Sequence, residues 1–127
     1  MDLREPVAIG AGIDADYEQL AYAGGYDHNW ALLGESGQLR CVARASSPKT
    51  GIQMEVLTTQ PGIQFYAGNY LDGCPAGKGG ALYAKRWGFC LETQHFPDAV
   101  NKPDFPSPVL KAGEEYREWT EYEFSVR

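Results

Sequence analysis

The chain is short of positive charge. It has 11 Lys and Arg against 17 Asp and Glu, a formal net charge of -6, and its longest basic run is the pair Lys85-Arg86. Binding a polyanion requires a cationic stripe, so nucleic acid and an anionic membrane surface drop out as partner classes. Cysteine is sparse as well: Cys41, Cys74 and Cys90 form no C-x-x-C spacing. An odd, scattered set supports neither a disulfide framework nor a zinc site, and it suits a reducing, cytoplasmic compartment. No apolar run approaches the ~20 residues that a membrane-spanning helix needs. The opening MDLREPVAIG is charged from its second residue and does not read as a secretory leader.

What remains is an ordinary globular composition. With 43% hydrophobic residues, the 127-residue chain can fill the core of one domain. Its 15 glycines and 8 prolines imply many turns, which favours strands over helices.

Alternation bears this out along the chain. Residues 114–126, EEYREWTEYEFSV, put Tyr116, Thr120, Tyr122, Phe124 and Val126 on one side and Arg117, Trp119, Glu121, Glu123 and Ser125 on the other. That pattern predicts a half-buried antiparallel strand. Residues 52–59 alternate in the same way, 39–44 read as a shorter strand, and SSPKTG between them reads as a hairpin connection. Pro61-Gly62 signals a turn before a further extended run, and residues 88–94 predict another strand. The stretches between are rich in Gly and Pro and read as long loops. Only residues 14–22 have helical spacing, for one or two turns. The expected fold is an all-β antiparallel β-sandwich or barrel.

Two motif look-alikes fail on spacing. GCPAGKGG at 73–80 has three residues between its first glycines where a phosphate loop has four, and Gly79 stands where that loop needs Ser or Thr. DADYE at 14–18 has the acidic spacing of a calcium loop. It has Gln19 where that loop needs glycine and Gly25 where it needs the closing glutamate.

Three stretches carry candidate chemistry. In GGYDHNW, Asp27, His28 and Asn29 stand between Tyr26 and Trp30. Aromatic rings beside convergent polar groups suit a sugar, which has an apolar face and a rim of hydroxyls. An Asx-type turn with its aromatics in the core explains this stretch alone more simply. Gln60 and Gln64 flank a turn, where a buried amide usually satisfies backbone groups. Glu92 is the sharpest case, lying in a strand-like run and sharing a side with Cys90 and Gln94. A carboxylate partly withdrawn from water holds its proton more tightly and suits general-base work. A rim glutamate on an exposed sheet face fits the spacing equally well. Asp27 and Glu92 could also be read as the carboxylate pair of a glycosidase.

Taken together, MDLREPVAIG, GYDHNW, EVLTTQPGIQFYAGNYLDG and GFCLETQHFPDAVNKPDFPSPVLKAGEEY resemble the C-terminal portion of the aldose 1-epimerases, the galactose mutarotases. The likeness runs in order from residue 1 to the end. It implies that residues 1–127 form the C-terminal part of a single galactose mutarotase-like β-sandwich domain, incomplete as it stands. The implied activity is acid/base ring opening that interconverts the α and β anomers of aldohexoses such as galactose and glucose, without cofactor or metal. By motif, Glu92 in LETQ matches the general base, and Asp27 in GYDHN and Gln64 in PGIQFY match sugar contacts. His95, Phe96 and Ala67 stand where the family varies or carries other polar residues.

The family's general acid is a histidine in an Asn-His motif. It precedes the matched region, as do a second histidine and an Asn-Arg pair, and neither His28 nor His95 aligns with it. The expectation is therefore a C-terminal fragment that works with an N-terminal complementing fragment, or that self-associates. A non-catalytic hexose-binding or regulatory module is the alternative.

Overall fold

The computed structural model describes residues 1–127. The regular structure is mostly strand, and the chain forms two compact units: residues 1–28 with 65–90, and residues 29–64 with 91–127. Two short helices, α1 (Ile9–Gly12) and α2 (Glu18–Ala23), precede six strands. These are β1 (Asp27–Ala31), β2 (Arg40–Ser46), β3 (Ile52–Thr58), β4 (Gly62–Tyr66), β5 (Cys90–Gln94) and β6 (Thr120–Val126). They make two three-stranded sheets, ordered β1-β4-β5 and β2-β3-β6. The all-β expectation holds. No helix is long and apolar enough to cross a membrane.

In the first unit the core is aromatic. Tyr26 and Phe65 are buried and stack at 5.1 Å between centroids, and Phe89 meets Phe65 edge-on at 6.2 Å. Such pairs add to the burial of the rings themselves. Ile13, Leu20 and Ala67 are buried in the same unit. Helix α2 stops where Gly24 takes a left-handed conformation (φ 66°) and donates its N–H to the Leu20 carbonyl, a conformation that costs a glycine nothing. Buried Asn69 then ties the chain down, donating to the carbonyls of Ala23 at 3.1 Å and Tyr26 at 2.9 Å. The first helix lies outside the single helical stretch that the spacing predicted. It is one turn long with no buried residue, so it has no apolar stripe to detect.

The second unit is built on the β2-β3-β6 sheet. The β2–β3 hairpin closes with Gly51 at φ 74° donating to Ser47 O at 2.8 Å, in the segment expected to turn. A bulge between Cys41 and Ala43 shifts the register, and β6 pairs antiparallel with β3 from Ile52↔Val126 to Thr58↔Thr120. Arg40 holds the far end of the hairpin. Its guanidinium donates to the carbonyls of Leu33, Thr58 and Gln60 at 2.9, 3.0 and 3.1 Å. Gln60 is buried and its amide donates to the Tyr116 hydroxyl at 2.6 Å rather than to backbone.

One boundary, one strand side and one turn differ from what the sequence led us to expect. The last strand covers only Thr120–Val126 of the expected 114–126. Before it, Trp119 is held by Thr59, whose hydroxyl accepts the Trp119 N–H at 2.9 Å and whose own N–H meets the Trp119 carbonyl at 3.1 Å. The side of β6 expected to be half-buried is largely open: Tyr122, Phe124 and Val126 are 46%, 69% and 75% exposed. Across from Tyr122, Val56 is fully buried. The third difference is residues 27–31, which form a strand instead of an Asx-type turn, although Tyr26 just before it is in the core as that reading required.

Candidate functional site

Strands β1 and β4 run antiparallel. Leu32 N donates to Pro61 O at one end, and Ala67 N donates to Tyr26 O at the other. This register sets Asn29 opposite Gln64, with both side chains on the same side of the sheet. Gln94 of β5 completes a cluster of three amides in the second unit. Its Nε2 lies 3.1 Å from Asn29 Oδ1 and 3.5 Å from Gln64 Oε1. Gly62, two residues before Gln64, makes room for it. A Cβ there would come within 2.6 Å of Asn29 Oδ1 and 2.9 Å of Phe96 Cδ1, so no larger residue fits without displacing the amide or the ring.

Glu92 lies one step back along β5 on the same side as Gln94, in the second unit. It is exposed, not partly withdrawn from water. The reason is visible in the strand: Cys90, its neighbour on that side, is exposed as well, and only Gln94 is half-buried. A carboxylate in this position is open to a ligand from solvent.

Asp27 starts β1, is half-buried and belongs to the first unit. Its backbone N–H donates to His28 Nδ1 at 3.1 Å, and His28 Nε2 meets the Gln19 carbonyl at 3.1 Å. Nδ1 therefore accepts and Nε2 carries the proton, so His28 braces β1 against α2. The structure thus brings Gln64 together with Gln94 and Asn29. Glu92 lies on their strand face, and the backbone N–H of Asp27 is held by His28 in the first unit.

The remaining candidates resolve into structural contacts. Asp14 of the calcium-like stretch receives both Arg86 terminal nitrogens, at 2.7 and 2.6 Å, and Glu18 accepts the Tyr22 hydroxyl at 2.7 Å. Hydrogen bonds from Arg86 hold the Asp14 carboxyl below the ordinary aspartate value against an opposing loss of hydration, and the charges of Arg86 and Lys85 add lesser pulls in the same direction as the hydrogen bonds. Arg86 pays for this reach with a left-handed backbone, at φ 68°. In the phosphate-loop look-alike, Gly77 lies under the Tyr83 ring, where a Cβ would clash at 2.5 Å. A cleft of about 410 Å³ in the first unit, lined by Ile9, Ile13, Asp14, Arg86, Trp87 and Phe89 among others, contains none of Asp27, Gln64 or Glu92. No group of three or more His, Cys, Asp or Glu residues is arranged to hold a metal ion.

The sequence profile of the aldose 1-epimerase family matches residues 1–123. The chain belongs to the aldose 1-epimerase family. It is 51% identical to the galactose mutarotase of Bos taurus over 98% of its own length and 35% of that protein's. To the galactose mutarotase of Homo sapiens it is 50% identical over the same shares. The aldose 1-epimerase of Escherichia coli K12 is 38% identical over 97% of this chain and 36% of its own length. The chain therefore spans about a third of the length of the curated relatives it matches. Its two mainly antiparallel sheets and few helices agree with a galactose mutarotase-like fold.

Within this family setting, the Gln94–Asn29–Gln64 cluster is the part of the candidate site that sequence reading missed as a unit. Its trace was the shared side of Glu92 and Gln94 on β5. The partner strands could not be read from alternation alone, because the register of β1 against β4 is fixed by contacts distant in sequence.

Proposed function

We propose that this chain supplies the general base and part of the hexose site of an aldose 1-epimerase, as the C-terminal part of a single galactose mutarotase-like domain. The observation that carries the reading is the side of β5 bearing Glu92. The next residue on that side, Gln94, reaches Gln64 and Asn29, so a solvent-open carboxylate and three amides share one polar strand face. Hexoses need this combination: carboxylates accept hydroxyl protons, and amides serve as both donors and acceptors. Asp27 and Gln64 are the sugar contacts and Glu92 is the base.

In the reaction, the Glu92 carboxylate takes the proton of the anomeric hydroxyl while an acid protonates the ring oxygen. The bond from C1 to the ring oxygen breaks as the C1 carbonyl forms. The aldehyde turns about its bond to C2, and reclosure with both protons returned gives the other anomer. Acid and base must flank one sugar carbon, a demand on positioning that no metal or cofactor has to meet. The acid comes from polypeptide beyond these 127 residues, supplied by a complementing N-terminal segment. His28 has both ring nitrogens engaged with backbone groups, which argues against it in that role. The substrate is an aldohexose such as galactose or glucose. The exposed cysteines, with no disulfide among them, fit a cytoplasmic setting.

Polarimetry of freshly dissolved α-galactose tests this reading, with the chain joined to or mixed with the N-terminal two-thirds of a relative. The complemented protein should speed mutarotation over buffer, and Glu92→Gln should slow it by at least about 100-fold. Full rate in Glu92→Gln would remove the base assignment. A second reading is a hexose-binding module without turnover, which the amide cluster of Gln94, Asn29 and Gln64 would serve without an acid and base pair. Saturable galactose binding with no acceleration in the complemented protein, lost in Asp27→Ala, would select it.

A further inference from the structure

We infer that Asn69 is a positioning residue: it holds the peptide plane that precedes Asp27 and so sets the direction in which that carboxylate leaves the start of β1. The inference rests on the reading of Asp27 as a sugar contact and adds the residue that aims it.

The chain enters β1 through Gly24 and Gly25, both at positive φ, 66° and 139°. Two glycines in succession leave the backbone freer than any other pair, so the turn itself does not fix the path into the strand. Side chains of the same unit fix it instead. Asn69 Nδ2 donates to the carbonyls on either side of the pair, those of Ala23 at 3.1 Å and Tyr26 at 2.9 Å. Arg86 holds the intervening Gly24 carbonyl at 3.1 Å. The Asn69 amide admits one orientation only, since turned over its oxygen would face two carbonyl oxygens.

The Tyr26 carbonyl belongs to the peptide whose N–H is that of Asp27, and this peptide is gripped at both ends. The carbonyl has two lone pairs: the Ala67 N–H takes one at 2.9 Å and Asn69 takes the other. The N–H meets His28 Nδ1 at 3.1 Å, and His28 is itself tied to the Gln19 carbonyl. A peptide unit is planar, so fixing its oxygen and its hydrogen places the Asp27 Cα, and the strand conformation then directs Cβ. The effect reaches the carboxylate through the backbone. With about four acceptor sites, that carboxylate can meet sugar hydroxyls beside a protein partner. Asn69 is buried and its Oδ1 has no partner, a cost that disfavours an amide here unless its hydrogens are needed. A Cβ on Gly25 would collide with that oxygen, so position 25 admits only glycine while the amide is in place.

The test uses the full 127-residue chain, labelled with 13C and 15N and titrated with galactose by NMR, with Asn69→Ala and Tyr70→Phe beside the wild type. Tyr70 is exposed and its hydroxyl donates to the same Ala23 carbonyl at 2.9 Å. Its loss loosens the end of α2 and leaves the Tyr26 carbonyl held. Asn69→Ala should move the Tyr26 carbonyl and Asp27 carboxyl 13C signals. It should also weaken galactose binding about three- to tenfold, at a temperature where the backbone spectrum is that of the folded chain. Tyr70→Phe should leave the Asp27 signal and the affinity at their wild-type values.

An Asp27 carboxyl signal unmoved in folded Asn69→Ala overturns the inference, as does an equal loss of affinity in the two variants. Unchanged affinity in Asn69→Ala, in a chain whose binding Asp27→Ala abolishes, overturns it too. Failure of the wild-type chain to bind galactose removes the sugar-contact reading alone, because the Asp27 signal still reports whether Asn69 aims the carboxylate. If Asn69→Ala does not fold, Asn69→Ser decides. Its one hydroxyl proton can serve only one of the two carbonyls, so it should move the Asp27 signal, and a signal at its wild-type position overturns the inference.

Discussion

At the scale of single residues, Thr58 shows how much one hydroxyl can hold. The residue is fully buried at the end of β3. Its Oγ1 donates to the Trp119 carbonyl at 2.9 Å, accepts the Gln60 N–H at 3.1 Å and lies 3.1 Å from Thr120 Oγ1. Thr58→Val keeps the shape and strands these buried partners, so it should cost about 1–3 kcal/mol. Urea unfolding would register this as a lower midpoint at unchanged slope, and an unchanged midpoint would show that water takes over the hydroxyl's partners. Nothing in the sequence singled out Thr58, because a threonine in an alternating strand looks the same whether its hydroxyl meets water or backbone. Glu92 is the opposite case. Its strand and its side were legible from alternation, and its exposure was not, because exposure depends on which segments cover that side of the sheet.

At the scale of elements, the pairing of Asp14 with Arg86 ties the turn between α1 and α2 to the loop before β5. Arg86 also donates to the Gly24 carbonyl at 3.1 Å, so one side chain fixes the end of α2 as well. Because the folded Asp14 carboxyl is held below its ordinary value, the folded chain binds this proton less readily than the unfolded chain. The resulting stability is present above the ordinary aspartate range and is lost as the pH falls through the folded value. Thermal unfolding below about pH 4 should therefore lose stability faster in the wild-type chain than in Asp14→Asn, while parallel curves would show that the pair contributes nothing. The effect is small, since both partners reach solvent. Elements with a strong two-residue period were the ones legible in advance: β3 almost to the residue, and β6 in its C-terminal half. The N-terminal half of the expected last strand failed because residues 114–119 alternate without a partner strand, and alternation reports sidedness, not pairing.

At the scale of the whole chain, the side of the β2-β3-β6 sheet that carries Ile52, Tyr122, Phe124 and Val126 is exposed along the outer strand. Apolar area of this kind in water favours association. Edge-to-edge pairing of β6 with a second β6 is disfavoured, because Glu121 and Glu123 would meet like charges across the junction. Association should therefore proceed through the apolar side. Sedimentation of the isolated chain should show mass rising with concentration, and Phe124→Lys should suppress it; a monomer at all concentrations in the wild type would contradict this. A complementing segment that covers Phe124 should suppress it too.

The β3 strand has one neighbour close along the chain and one far away. Ser46 and its partner Gln53 across the hairpin are seven positions apart, whereas Thr58 and Thr120 are 62 apart. Closing the longer loop costs roughly 2 kcal/mol more chain entropy than closing the shorter one, by the logarithmic law for flexible loops. Hairpins close in microseconds, and distant pairings come later. Assembly of this sheet thus has a direction in time, from β2 and β3 to β6, and the open side of Val56 and Thr58 waits for the last strand to arrive.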